Sequence, residues 1–344
     1  MPTPLRITTI GDGAMATVCS NMLAREAAAE VEVTVWGRNA EQVGQIAARR
    51  ENMRYLPGVA LSPALRFEAD DRLALARADL VLCAVPTQFI RAMLTRLRGM
   101  VPAGVPVVSV SKGIEVGTLR RPSEIILEVL GERPVAALSG PCIAGELARR
   151  LTTTMVVAAA PSAADFARRV QEIFSTSYLR IYRNDDLPGV ELAGATKNVI
   201  AIAAGMLDGM RSGNNAKAAL LTRGLVEISR LGVALGAAPE TFAGLAGLGD
   251  LVTTCFSPEG RNRTFGERVG RGESPAVVAA SMAGVVEGMP TCQSVLALAR
   301  RGANEGRGVE MPISESLHGV LFEGRDPRAQ LAELMARELK SETG

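Results

Sequence analysis

A short apolar run at residues 5–10 leads straight into Gly11-Asp12-Gly13-Ala14-Met15-Ala16, and a helical pattern follows to about residue 29. A strand that turns into a helix on two glycines at this spacing leaves few folds open. The first glycine makes the tight turn, and the second lets the backbone approach a pyrophosphate. The third position, here Ala16, keeps helix and strand close. Phosphates held there sit at a helix N-terminus, where free N–H groups and the helix dipole favour negative charge.

The alternation continues. Residues 31–36, 80–85, 105–110, 135–138, 154–159 and 178–182 are further strand candidates, several followed by a turn and a helix. Strand, helix, strand at this spacing implies right-handed crossovers and a mostly parallel sheet. Beyond about Asp186, residues 192–210, 216–235, 275–282, 292–301 and 329–339 read as helices with no convincing strand between them. The expected architecture is a doubly wound, Rossmann-like α/β domain over residues 1–190, followed by an all-helical domain over residues 191–344. At 344 residues the chain is long enough for two sizeable cores.

Charge is nearly balanced, with 38 Lys and Arg against 36 Asp and Glu, which gives no nucleic-acid footprint. Aromatics are too scarce for a stacking platform. Cys19, Cys83, Cys142, Cys255 and Cys292 are scattered and make no CxxC pair, so neither a metal site nor a disulfide framework is expected. Met1-Pro2-Thr3-Pro4 runs into the first strand without a charged leader. The apolar stretch at 190–206 carries Glu191 and Lys197 and makes a poor membrane span. A reduced, cytoplasmic protein is expected.

Lys197 lies in the same stretch, with Ala193, Gly194, Ile200 and Ala201 as its helical neighbours. A long cation on such a face is costly unless it meets an anion or gives up its proton. His318 is the only histidine, so a lysine leads the candidates for proton chemistry. A lysine that snorkels to the helix edge fits the segment equally well.

The second strand ends in Gly37-Arg38-Asn39, with no acid to bind a ribose 2′-hydroxyl. An arginine there can pair with a 2′-phosphate and stack on adenine, which favours NADP over NAD; a solvated arginine is the alternative. Three further runs stand out: Ser109-Val110-Ser111-Lys112-Gly113-Ile114-Glu115, Gly244-Leu245-Ala246-Gly247-Leu248-Gly249-Asp250-Leu251 and Gly260-Arg261-Asn262-Arg263. Singly, each could be a solvated turn or a helix cap. Together they provide Arg and Asn for an anion, lysines for a developing alkoxide and a carboxylate to orient them.

With these runs in view the sequence resembles the bacterial type of the NAD(P)-dependent glycerol-3-phosphate dehydrogenase family over almost its full length. The likeness is carried by Val35-Trp36-Gly37, Tyr55-Leu56-Pro57, Ser111-Lys112-Gly113, Ser139-Gly140-Pro141 and Gly194-Ala195-Thr196-Lys197-Asn198-Val199-Ile200-Ala201. It continues through Thr222-Arg223-Gly224-Leu225, Gly247-Leu248-Gly249-Asp250-Leu251, Arg261-Asn262-Arg263, Val286-Glu287-Gly288 and Glu310-Met311-Pro312-Ile313. The resemblance implies interconversion of dihydroxyacetone phosphate and sn-glycerol 3-phosphate, chiefly for glycerophospholipid synthesis, by a homodimer using NADP or NAD. Carried over by motif, Lys197 exchanges the proton, and Lys112 contacts both cofactor and substrate. Gly140, Cys142, Asp250, Gly260, Arg261 and Asn262 line the substrate site, with Arg261 and Asn262 on the phosphate. Gly11, Gly13, Ala14, Met15, Arg38, Ala144, Arg261, Val285 and Glu287 face the cofactor.

The sequence departs from the family at five of these places. The family usually has Ser at Ala14, an aromatic at Met15, Gly at Ala16, Ser or Thr at Cys142 and Ser at Gly260. Each of the two hydroxyls lost near the substrate is worth about 1 kcal/mol where it bonds the ligand directly. Two rival readings exist. A β-hydroxyacid dehydrogenase would have no need of the Arg261-Asn262-Arg263 run, and a non-catalytic NADP-binding protein no reason to keep Lys112, Lys197 and Asp250 together. His318 reads as a helix-surface residue, Asp70-Asp71 as a helix N-cap and residues 337–344 as a frayed tail.

Overall fold

A computed structural model describes residues 4–27, 30–304, 308–339 and 341–342. Its first half runs β1 (Leu5–Ile10), α1 (Ala14–Glu26), β2 (Val31–Trp36), α2 (Ala40–Arg49), β3 (Arg66–Glu68), α3 (Asp71–Leu75), β4 (Leu80–Cys83) and α4 (Thr87–Leu97). It continues through β5 (Val107–Ser109), α5 (Pro122–Leu130), β6 (Val135–Ser139), α6 (Ala144–Ala148), β7 (Thr153–Ala159), α7 (Ala164–Phe174) and β8 (Leu179–Asn184). Helices then take over: α8 (Leu187–Gly209), α9 (Gly213–Ala234), α10 (Pro239–Ala243), α11 (Asp250–Phe256) and α12 (Arg261–Gly270). The last are α13 (Pro275–Ser281), α14 (Gly288–Asn304), α15 (Pro312–Phe322) and α16 (Pro327–Met335).

The strands form one sheet in the order β3-β2-β1-β4-β5-β6-β7-β8, with every pair parallel except β6 and β7. From β1 the chain winds outward through β2 and β3, then returns to β4 on the other side of β1. This reversal opens a crevice at the carboxyl ends of β1 and β4, the place where such sheets bind ligands. The central strands are apolar on both faces. Leu80 and Leu82 join one core, while Val81 and Cys83 join the core on the opposite face. A sheet covered by helices on both sides requires this pattern.

α8 is the axis of the second half. Most of its residues are buried, and in its most apolar window 94% lie inside the molecule, so its length and hydropathy mark a core helix. Asp186 starts it by accepting from Gly189 N at 2.9 Å, and also accepts from Ala238 N and Thr241 Oγ1, which fixes α10 beside it. Small residues bring α12 into backbone contact with α8. A Cβ on Gly205 would fall 1.9 Å from the Arg263 carbonyl oxygen, and one on Gly266 would fall 1.9 Å from that of Ile202. That close packing sets where the first turn of α12 can point.

Two buried carboxylates tie helices together. Glu191 on α8 accepts from Arg121 Nη1 and Ser123 N at 2.8 Å each, at the start of α5. Glu227 on α9 accepts from Ile313 N, Ser314 N and Ser314 Oγ at 2.7–2.9 Å, satisfying donors at the start of α15. Glu227→Ala is expected to cost about 1–3 kcal/mol, because those buried donors lose their acceptor. A lower urea midpoint with unchanged substrate KM would bear this out; an unchanged midpoint would refute it.

Several elements differ from the sequence expectation. β3 was not anticipated; its three residues become a strand only by pairing with the edge of β2. The run 244–251 is no open turn, but a π-helical turn (Leu245–Gly249) leading into α11. Asp70 caps α3 through Arg72 N and Leu73 N, and His318 lies on α15 beside Glu323. Residues 1–3, 28–29, 305–307, 340 and 343–344 lie outside the described residues. The expectations for the N-terminus, the end of the first helix and the tail partly fall there.

Candidate functional site

A cleft of about 940 Å³ runs from the turn after β1 to the first turn of α12, with α8 and α11 forming one wall. Its nucleotide end follows from local geometry. Gly11 has φ +114°, and a Cβ there would lie 2.8 Å from the Ala84 carbonyl oxygen, so the tight turn admits only glycine. Gly13 caps α1 with no side chain bonded to the free N–H groups, and nothing lies within 4 Å of where its Cβ would be. That open space over a helix N-terminus suits a pyrophosphate. Ala14 and Met15 line it, and Met15 Sδ accepts from Cys19 Sγ at 3.6 Å. Arg38 and Arg54 are exposed at the outer rim, with the Arg54 guanidinium 5.0 Å from the Tyr55 ring centre.

At the inner end one carboxylate holds two lysines. Asp250 opens α11 and is 2% exposed. Its Oδ2 accepts from Lys112 Nζ at 2.5 Å, and its Oδ1 pairs with Lys197 Nζ at 3.0 Å. Lys112, on the loop after β5, also donates to the Gly140 carbonyl at 3.0 Å and lies 3.7 Å from Cys142 Sγ. Lys197, on α8, donates to Thr254 Oγ1, which in turn donates to Asp250 Oδ1 at 3.1 Å. The cost of burying these charges is offset by their mutual pairing.

The two lysines are not equivalent. Burial lowers the proton affinity of Lys197, and the charge of Lys112 adds to the effect. Asp250 only partly opposes them, so its pKa falls below the ordinary lysine value. Burial acts on Lys112 too, but the charge and hydrogen bond of Asp250 outweigh it and hold that ammonium above its usual range. For Asp250, burial pushes upward while both lysines pull down, and the lysines win. Asp250 therefore stands between one lysine held firmly as a cation and one whose ammonium is the easier of the two to deprotonate.

The remaining wall can take an anion. Gly260 caps α12 without any side-chain bond, leaving its first N–H groups free. Arg261, the first residue of α12, lies exposed in the cleft, and Asn262 is buried with its Oδ1 accepting from Gly288 N at 3.0 Å. Arg263 turns away from the cleft to Glu267 and Asp208, so the run contributes one guanidinium rather than two. Burial pushes the Glu287 carboxyl upward, and its Oε1 accepts from Thr87 N at 3.3 Å. Burial likewise raises the Cys142 thiol, against the pull of Lys112.

Every site residue expected from sequence meets in or at this cleft, with Ala144 and Val285 on its wall and Gly140 acting through its carbonyl on Lys112. Two residues that line the cleft were not singled out in the sequence. Thr254 stands four residues from Asp250 on α11, a helical spacing that could have revealed it. Asp12 lies inside the glycine motif itself and also lines the cleft.

The profile described as NAD-dependent glycerol-3-phosphate dehydrogenase N-terminus matches residues 6–165, and its C-terminus counterpart matches residues 186–332. Glycerol-3-phosphate dehydrogenase (NAD(P)+) of Geobacter sp. (strain M21) is 46% identical over 98% of both chains. The protein of that name from Chlorobium limicola is also 46% identical, over 98% of this chain and 99% of its own. The crystal structure of glycerol-3-phosphate dehydrogenase from Coxiella burnetii superposes with a TM-score of 0.91 at 35% identity, covering 98% of this chain and all of its own. Both halves of the chain are matched, in order and over nearly their full length, and the chain belongs to the NAD-dependent glycerol-3-phosphate dehydrogenase family.

Proposed function

We propose that this chain catalyses the reversible reduction of dihydroxyacetone phosphate to sn-glycerol 3-phosphate with NADPH or NADH, feeding glycerophospholipid synthesis. The observation that carries this reading is the Asp250 carboxylate held between Lys112 and Lys197, where the nucleotide turn faces the start of α12. The bound nicotinamide supplies the hydride for the ketone carbon. Lys197 gives a proton to the carbonyl oxygen in reduction and takes it back in oxidation. Lys112 stays charged and steadies the developing alkoxide, while Asp250 keeps both lysines in place.

Arg261, Asn262 and the free N–H groups of the first turn of α12 take the phosphate, and Gly140 and Cys142 close the substrate pocket. Gly11, Gly13, Ala14, Met15, Arg38, Lys112, Ala144, Arg261, Val285 and Glu287 hold the cofactor. Residues 1–190 serve as the nucleotide domain and residues 191–344 as the substrate domain, in a cytoplasmic homodimer. The five unpaired cysteines suit a reducing compartment.

Dihydroxyacetone phosphate and unphosphorylated dihydroxyacetone, each with NADPH and NADH, provide the test. A phosphate held by two or three charge-assisted hydrogen bonds should raise kcat/KM for the phosphorylated ketone by about 10³-fold. Equal activity on both ketones would overturn the reading.

A further inference from the structure

β2 ends at Trp36, and the residues after it are Gly37, Arg38 and Asn39, none of them an acid. A carboxylate nevertheless reaches this position from the neighbouring strand's turn. β1 and β2 pair in parallel as far as Ile10 and Trp36, and Gly11 N donates to the Trp36 carbonyl at 2.9 Å. The two chains therefore leave the sheet side by side. The Asp12 carboxylate lies against Gly37, where a Cβ would fall 2.8 Å from Asp12 Oδ2. Any side chain at Gly37 would displace it.

Asp12 is held by its surroundings. Gln42 Nε2, on α2, donates to Asp12 Oδ2 at 2.9 Å, and Asn52 Nδ2 donates to the Asp12 carbonyl at 2.8 Å. Gln42 Oε1 in turn accepts from Arg54 Nη1 at 3.3 Å. No other residue donates to Asp12 Oδ1 among the described residues, and Asp12, Arg38 and Arg54 all line the same end of the cleft. An acceptor and two cations thus share the space beyond the β2 end, where the adenine ribose binds in this fold.

The two chemistries favour different cofactors. A ribose 2′-hydroxyl needs an acceptor, whereas a 2′-phosphate needs cations and is repelled by a carboxylate. We propose that Asp12 sets the nucleotide preference, accepting the 2′-hydroxyl of NAD in place of the missing β2 acid and opposing the pull of Arg38 and Arg54 on the NADP 2′-phosphate. This rests on the dinucleotide reading of the turn, and not on the identity of the ketone.

The test titrates the full chain with NADH and NADPH by nicotinamide fluorescence in the absence of ketone. Asp12→Asn keeps shape and packing, and should weaken NADH about tenfold while tightening NADPH about tenfold. Arg38→Ser with Arg54→Ser should move the ratio of the two affinities the other way. A ratio within twofold of the parent in Asp12→Asn would overturn the proposal, as would equal weakening of both cofactors. A parent chain that binds both dinucleotides but reduces no phosphorylated ketone would overturn the proposed activity and leave the Asp12 comparison decisive.

Discussion

Lys197→Ala is expected to lower turnover of dihydroxyacetone phosphate by roughly 10²–10⁴-fold, the range for loss of a positioned proton donor. Cofactor affinity should hardly change, because Lys197 bonds Asp250 and Thr254 and has no contact with the turn at Gly11 and Gly13. The fold should also survive, since Asp250 keeps its pair with Lys112. Lys197→Arg separates proton exchange from charge. A guanidinium supplies the cation but does not release a proton at working pH, so this variant should be nearly as slow as Lys197→Ala. Turnover within a few-fold of the parent in either variant would remove Lys197 from the chemistry.

Asp250→Ala should damage both activity and stability. Lys112 and Lys197 have only 14% and 7% of their side chains exposed, and Asp250 is their shared anion. Removing one partner of a buried ionic group costs about 3–5 kcal/mol, because the remaining charge is left uncompensated. The defect should also depend on pH. With burial and mutual repulsion unopposed, both lysines would have folded-state pKa values below their unfolded ones. The unfolded variant would then bind more protons than the folded one, so stability relative to the parent should recover as pH rises towards about 10. Urea midpoints of variant and parent at matched pH values check this, and a pH-independent gap would count against it.

The parts of the fold that showed in the sequence are those whose residues carry their own reason. β4 reads as a strand because Leu80–Cys83 is buried on both faces, and α8 as a helix because nearly all of it is core. β3 has no such signature, since Arg66, Phe67 and Glu68 become a strand only when the edge of β2 is there to pair with them. The π-helical turn before α11 was hidden for the opposite reason. Its glycines suggest an open turn, but Gly247 packs so tightly that a Cβ would lie 2.0 Å from the Phe242 carbonyl oxygen. Packing there decides what composition alone leaves open.

The site was legible in the same uneven way. The glycine turn, Lys112, Lys197, Asp250 and Arg261 stood out because each is an unusual residue in its local setting. Whether Lys197 snorkels or stays buried could not be read from its helix, because the anion that pairs with it comes from α11. Asp12 went unnoticed because its place at the end of β2 depends on β1 and β2 lying side by side, a relation the sequence does not display.

Proton exchange by Lys197 is tested most directly by pH profiles of kcat/KM in both directions. The pKa of Lys197 is held below the ordinary lysine value, and reduction needs the protonated amine while oxidation needs the neutral one. Reduction should therefore fall and oxidation rise through one shared apparent pKa below that value. Profiles that stay flat in both directions across the range, or that bend at unrelated pH values, would contradict the account.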